Sequence, residues 1–249
     1  MAIKNGEFIL MDFTCKVKES GEVVETSLEK VARESGLHKE GVTYEPTFVI
    51  VGEGWVPKGL DESFSNMEVG QQSTIEVPAE KGYGLRDPSK IRLVPLRRFR
   101  ADGITPLPGM AVHLEGRSAT VRAVGAGRVQ LDYNHPLAGR TLTYEVTVQK
   151  ILESFEEKVR ALLHRRITGL DAEKFTVKRL EGNVTLQIPE EGFLLEGLQI
   201  MKQAAAADIL KYYPDIGEVS FIEVIKRKEQ VASERPQQEM AVESSSKQE

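Results

Sequence analysis

A chain of 249 residues, 40% of them hydrophobic, has enough length and apolar content for one to three packed domains, yet no apolar run nears the roughly 18 residues that span a bilayer, so no membrane partner is expected. The net charge of −5 is unevenly spread: residues 1–85 with 138–154 carry 17 acidic against 10 basic side chains, while residues 86–137 carry 4 against 9. A surplus of that size reads as a solvated face, and no nucleic-acid partner is expected.

The opening MAIKNGEFILMDF has no charged-then-apolar export pattern, and a cytoplasmic location is expected. Cys15 is the single cysteine; it excludes an internal disulfide and fits a reducing compartment. Glu7 to Lys18 alternates apolar and polar side chains and reads as a strand with a bulge where the phase changes. Glu19 to Glu22 is a turn, and Val23-Val24 continues the hairpin. Ser27 to Ser35 predicts a short helix, capped at Ser27 and closed by Gly36. Thr47 to Val51 is a β-branched strand, Pro57 to Met67 a short amphipathic helix through Leu60, Phe64 and Met67, and Gln71 to Val77 a strand ended by Pro78.

From Arg86 the pattern changes to short strands. Leu93 to Phe99 and Gly109 to Leu114 flank a Pro-rich turn, and Ser118 to Val124 pairs with Arg128 to Asp132 across Gly125-Ala126-Gly127. Leu142 to Ile151 resumes strand alternation. Residues 155–228 then read helix, strand, strand, helix, strand, the second helix carrying Leu194, Leu198, Met201, Ala205, Ile209 and Tyr212 on one face. The tail 229–249 is polar and expected to be disordered.

Four strings carry a resemblance: GEVVETS, VGEGWVPKGLDESFSNMEVG, VPAEKGYG and HPLAGRTLTYEVTV. In this order they resemble the FK506-binding class of prolyl isomerases. The resemblance implies an α+β fold, an antiparallel half-barrel sheet wrapped on a short helix. The resemblance covers residues 5–85 and 135–152, and the domain it implies is discontinuous, residues 1–85 with 138–154. It also implies a peptidyl-prolyl cis–trans isomerase that uses no cofactor and acts on unfolded or nascent proline-containing polypeptides.

Such an enzyme breaks no bond. The barrier is lost amide resonance, about 18–20 kcal/mol, so the protein has to hold the twisted amide better than the planar one. That takes an apolar cup for the proline ring, little water, and a donor for the displaced carbonyl. The resemblance assigns these parts to Phe13, Glu25, Tyr83 and Tyr144 as catalytic residues, and to Val24, Trp55, Val56, Pro57 and Leu60 as the substrate cup. Glu25 stands where aspartate is commoner, Thr47 where an apolar wall residue is common, and Leu60 where the family often has a tryptophan. Pro57 replaces a residue whose N–H contacts ligands, and proline has none. These departures predict weaker macrolide binding and modest catalysis; the alternative reading is a non-catalytic holdase on the same fold.

VPLRRF, LPGM and LDYNHPLAGRTL make residues 86–137 similar to the insert-in-flap domain of the SlyD-like, long archaeal branch. That resemblance implies a small all-β domain that binds unfolded chains, with Leu93, Val94, Phe99, Leu107, Met110 and Val112 as candidate client contacts. No metal site is expected, since His38, His113, His135 and His164 are scattered and the tail holds neither His nor Cys. Residues 155–228 resemble the C-terminal α+β extension of the same branch, which implies homodimerisation or further client binding.

Overall fold

The structure, a computed structural model, describes residues 3–114 and 116–226. The tail expected to be disordered lies outside these residues. In chain order come β1 (Phe8–Val17), β2 (Val23–Thr26), α1 (Glu29–Glu34), β3 (Thr47–Ile50), α2 (Lys58–Asp61) and β4 (Gln72–Val77). The inserted stretch holds β5 (Ile91–Pro95), α3 (Leu96–Ala101), β6 (Ala111–Leu114), β7 (Arg117–Gly125) and β8 (Arg128–Asp132). After it follow β9 (Leu142–Leu152), α4 (Phe155–Arg166), β10 (Thr176–Leu180), β11 (Asn183–Ile188), α5 (Leu198–Tyr212) and β12 (Glu218–Glu223). The chain divides into two compact units at Arg165/Arg166, later than residue 155, where the sequence pattern starts its third part.

β1 is the spine of the first unit. It pairs antiparallel with β3 through Phe8–Met11, with β2 through Thr14–Lys16, and with β9 along its whole length; β4 pairs the far edge of β9. The bulge expected in β1 is on its partner instead: β1 alternates without a change of phase, and the extra residue is Gln149 of β9, between the pairs Leu10–Lys150 and Met11–Val148. Alternation then puts Ile9, Met11, Phe13, Cys15 and Val17 on one buried face, beside Leu142, Tyr144, Val146 and Val148 of β9. Each large apolar side chain so buried stabilises the fold by about 1.5–3 kcal/mol.

The helix expected over Pro57–Met67 is broken into α2 and a 3₁₀ turn at Phe64–Asn66. Serines explain the break: the Ser63 hydroxyl donates to the Leu60 carbonyl at 2.6 Å and the Ser65 hydroxyl to Glu62, competing with helical bonds. Leu60, Phe64 and Met67 are nevertheless all buried under the sheet. Gly59 sets the approach, since a Cβ there would lie 2.9 Å from Val77 Cγ1 and 3.2 Å from Lys81 Cβ.

Two local expectations are corrected. Ser27 does not cap α1, whose N-cap is Leu28 without a side-chain bond; instead it accepts from the Phe13 N–H at 3.0 Å and donates to Asp12 at 2.8 Å, locking β1 to the end of β2. The strand expected over Leu93–Phe99 ends at Pro95, and Leu96–Ala101 is helical. Proline fits the start of a helix, and Leu, Arg and Ala continue one well.

The insert forms its own antiparallel sheet in the order β5-β8-β7-β6 over a core of Phe99, Val112, Leu114, Ala119, Val121, Val129 and Leu131. In the second unit, β10 and β11 form a hairpin turned by Glu181 and Gly182, both at positive φ. α5 is the crossover that lets β12 pair parallel with β11. Leu194, expected on the face of that helix, precedes it and is 97% exposed.

Candidate active site

Strand register assembles the site. Cys15 of β1 is directly opposite Glu25 of β2 on one side and Tyr144 of β9 on the other, and Tyr144 is opposite Ile75 of β4. One row therefore crosses the sheet carrying a carboxyl, a thiol and a phenol. Phe13, two residues along β1, lies on the same face with its ring 6.2 Å from that of Tyr144. Leu60 is buried against this floor, and Val24, Trp55, Val56 and Tyr83 pack around it half-buried.

The two hydroxyls and the thiol lie near enough to one another to influence each other's ionisation. Burial is the main reason Tyr144 is pushed far above an ordinary phenol, with the Cys15 contact adding to it. Burial likewise pushes up the Tyr83 phenol and the Cys15 thiol, and the Glu25 charge opposes ionisation of both. All three stay neutral near pH 7, as a hydrogen-bond donor set requires. Glu25 is exposed at the edge of this row, and partial loss of water raises its carboxyl above the ordinary glutamate range.

Tyr83 is positioned by the loop that carries it. Gly84 adopts φ +80°, and its N–H donates to Ala79 at 2.7 Å. Pro57 lies at the N-terminus of α2, where its carbonyl accepts from Leu60 and Asp61. Trp55 is flanked by the Phe48 ring, edge-on at 5.4 Å, and the Arg165 guanidinium at 3.8 Å. Thr47 is half-buried at the register position opposite Met11. A cavity of about 550 Å3 lies alongside; it shares Val56 and Pro57 but is otherwise lined by groups such as Asn5, Gly52 and Lys58, not by Phe13, Glu25, Tyr83 or Tyr144.

Of the six insert residues expected to meet clients, Leu93, Leu107 and Met110 are 58%, 62% and 40% exposed. Val94 is half-buried, and Phe99 and Val112 are sealed in the insert core, where they hold the lobe together. The exposed apolar surface is thus narrower than the sequence implies.

Sequence patterns missed the root of the insert. Arg86 pairs with Asp132, whose side chain is 2% exposed. Asn134 donates to Asp132 at 2.7 Å and to the Asp87 carbonyl at 2.9 Å, and accepts from the Asp87 N–H at 3.0 Å. Burial opposes the Asp132 charge, but the bonds from Arg86 and Asn134 outweigh it and hold the carboxyl below its usual range. Beside this clamp the His135 ring lies flat on Tyr83, centroids 4.0 Å apart and planes 3° apart. The string NHPLAG was the available signal, but as a signature it names no contact. Among the described residues, no group of three or more His, Cys, Asp or Glu side chains is arranged to hold a metal.

Comparison with known proteins agrees with this layout. Residues 1–95 match the family described as FKBP-type peptidyl-prolyl cis-trans isomerase, residues 92–137 that described as FKBP26, IF domain, and residues 155–226 that described as FKBP26 C-terminal. The short-type peptidyl-prolyl cis-trans isomerase of Methanocaldococcus jannaschii is 37% identical over 149 residues, 60% of this chain and 94% of the relative. The FKBP-type peptidyl-prolyl cis-trans isomerase SlyD of Helicobacter pylori is 29% identical over 150 residues, 57% of this chain and 80% of the relative. The FKBP-type 16 kDa peptidyl-prolyl cis-trans isomerase of Escherichia coli is 21% identical over 159 residues, 62% and 97% of the two chains.

Proposed function

Since this chain belongs to the FKBP-type peptidyl-prolyl cis–trans isomerases, enzymes that act on proline-containing polypeptides, we propose that the row Glu25–Cys15–Tyr144, with Tyr83 beside it, is the catalytic centre, and that the insert captures unfolded chains for it. The observation that carries the first half is the strand register that brings Glu25, Cys15 and Tyr144 into one row, with Tyr83 packed on the same apolar floor.

The proline ring sits against Val24 and Val56, above a floor in which Phe13 and Leu60 are buried and water is scarce. Losing water disfavours the polar planar amide more than the twisted one, in which resonance is already lost. The Tyr83 hydroxyl, kept neutral by burial, donates to the carbonyl that rotates out of plane. Glu25 faces the amide from the open rim. No nucleophile is needed, and Cys15 is buried beside Tyr144 in the row.

Exposure of Leu93, Leu107 and Met110 supports the second half. A client held by these side chains presents its prolines to the cup at raised local concentration. The test pairs Tyr83→Phe with Glu25→Ala. Both variants are expected to lose isomerase activity toward a short proline peptide, about 5- to 10-fold for Tyr83→Phe by loss of one hydrogen bond, while suppression of client aggregation stays unchanged. Undiminished isomerase activity in both would sink the assignment of the cup.

A further inference from the structure

We infer that His135 is a positioning residue for Tyr83, so that the point where the chain leaves the insert sets the geometry of the catalytic hydroxyl. This rests on the proposal above that Tyr83 donates to the rotating carbonyl.

Tyr83 stands just before the chain enters the insert and His135 just after it leaves β8, and their rings stack in parallel at 4.0 Å. His135 is itself held from several directions. Pro136 follows it and restricts its backbone to extended conformations. Its Nδ1 accepts from the Leu137 N–H at 3.2 Å, and its carbonyl accepts from Ala138 at 2.9 Å. Asn134, before it, is buried and bonded to both Asp132 and Asp87. The Gly139 N–H then donates to the Gly84 carbonyl at 2.8 Å, tying the returning strand beside Tyr83.

The histidine ring is therefore a fixed plate and the tyrosine ring the part it steadies. Tyr83 packs half-buried on the core of the lobe, and the exposed His135 covers one of its faces. A tyrosine hydroxyl lies at the tip of a long ring, where a small tilt moves it by about 1 Å, a displacement that costs catalysis heavily. The Leu137 bond makes Nδ1 an acceptor and leaves Nε2 as the ring's donor.

The experiment is a peptide isomerase assay on the full chain, with a proline tetrapeptide too short to need the insert. His135→Ala is expected to lower kcat about 3- to 10-fold with KM nearly unchanged, as removal of one aromatic pair implies. His135→Phe, which keeps a flat ring, recovers most of the loss; His135→Asn, which keeps an acceptor but no ring, does not. In a Tyr83→Phe background the His135→Ala effect shrinks to less than about 1.5-fold, since no hydroxyl remains to position. Wild-type kcat in both His135→Ala and His135→Asn, or an undiminished loss in the Tyr83→Phe background, overturns the inference. Wild-type kcat in Tyr83→Phe alone overturns the reading beneath it, so the two failures are told apart.

Discussion

The cup and the root of the insert are built from opposite materials. The cup is a dry floor of Phe13, Leu60 and Val56 crossed by a row of one carboxyl, one thiol and one phenol; the root is a knot in which the side chains of Arg86, Asp87, Asp132 and Asn134 are each hydrogen-bonded. A root that carries both crossings of the insert, and holds His135 on Tyr83, depends on defined directions, which hydrogen bonds supply and apolar contacts do not.

The largest expected effect lies at the root. Asp132→Asn removes the charge that Arg86 and Asn134 surround, and is expected to destabilise the insert by about 2–3 kcal/mol, below the figure for a fully buried pair because Arg86 is partly open to solvent. Amide exchange in β7 and β8 would report it. The folded carboxyl is held below its usual value, so its stabilisation is complete above about pH 3.9, the unfolded value, and is lost as pH falls through the folded one. Exchange in Asp132→Asn should lack that acid-induced rise; an unchanged rise would place the effect elsewhere.

The next effect is under the cup. Gly59→Ala pushes α2 off Val77 and is expected to cost about 1–3 kcal/mol. Because Leu60 is the neighbouring floor residue, peptide KM should rise as well. Unfolding in urea together with a peptide titration checks both, and a stable variant with unchanged KM would show that Val77 and Lys81 yield freely.

The smallest effect is electrostatic. Loss of water raises Glu25, so it takes up its proton at a higher pH than a free glutamate. The ionised form, and any contribution it makes to kcat/KM, is present above that raised value and is lost as pH falls through it. The acid limb of the profile should thus lie above pH 4.5 and vanish in Glu25→Gln, with a few-fold loss at neutral pH. An acid limb that persists in Glu25→Gln assigns it to another group.

The candidate cup residues came from a resemblance; alternation in β1 and β9 was legible by itself, and once the strands pair it puts Phe13, Cys15 and Tyr144 on one face. The root was not legible, because Arg86 and Asp132 lie at opposite ends of the insert and no periodicity couples them. Leu96 and Phe99 illustrate a different failure. Three residues apart, they fit both a short strand and one turn of helix, and Pro95 decided for the helix. Ser27 had the right chemistry for a helix cap but found a longer-range partner in Phe13.

The central claim is that catalysis and client capture occupy separate surfaces of one unit. Proline-limited refolding of a model protein tests it most directly, comparing the wild-type chain with a Leu93→Ser/Leu107→Ser/Met110→Ser variant, each also assayed on a short proline peptide. The account predicts that the variant loses most of its acceleration of refolding while its peptide turnover stays at the wild-type value. Equal acceleration by the two chains, or a parallel loss on the short peptide, would contradict it.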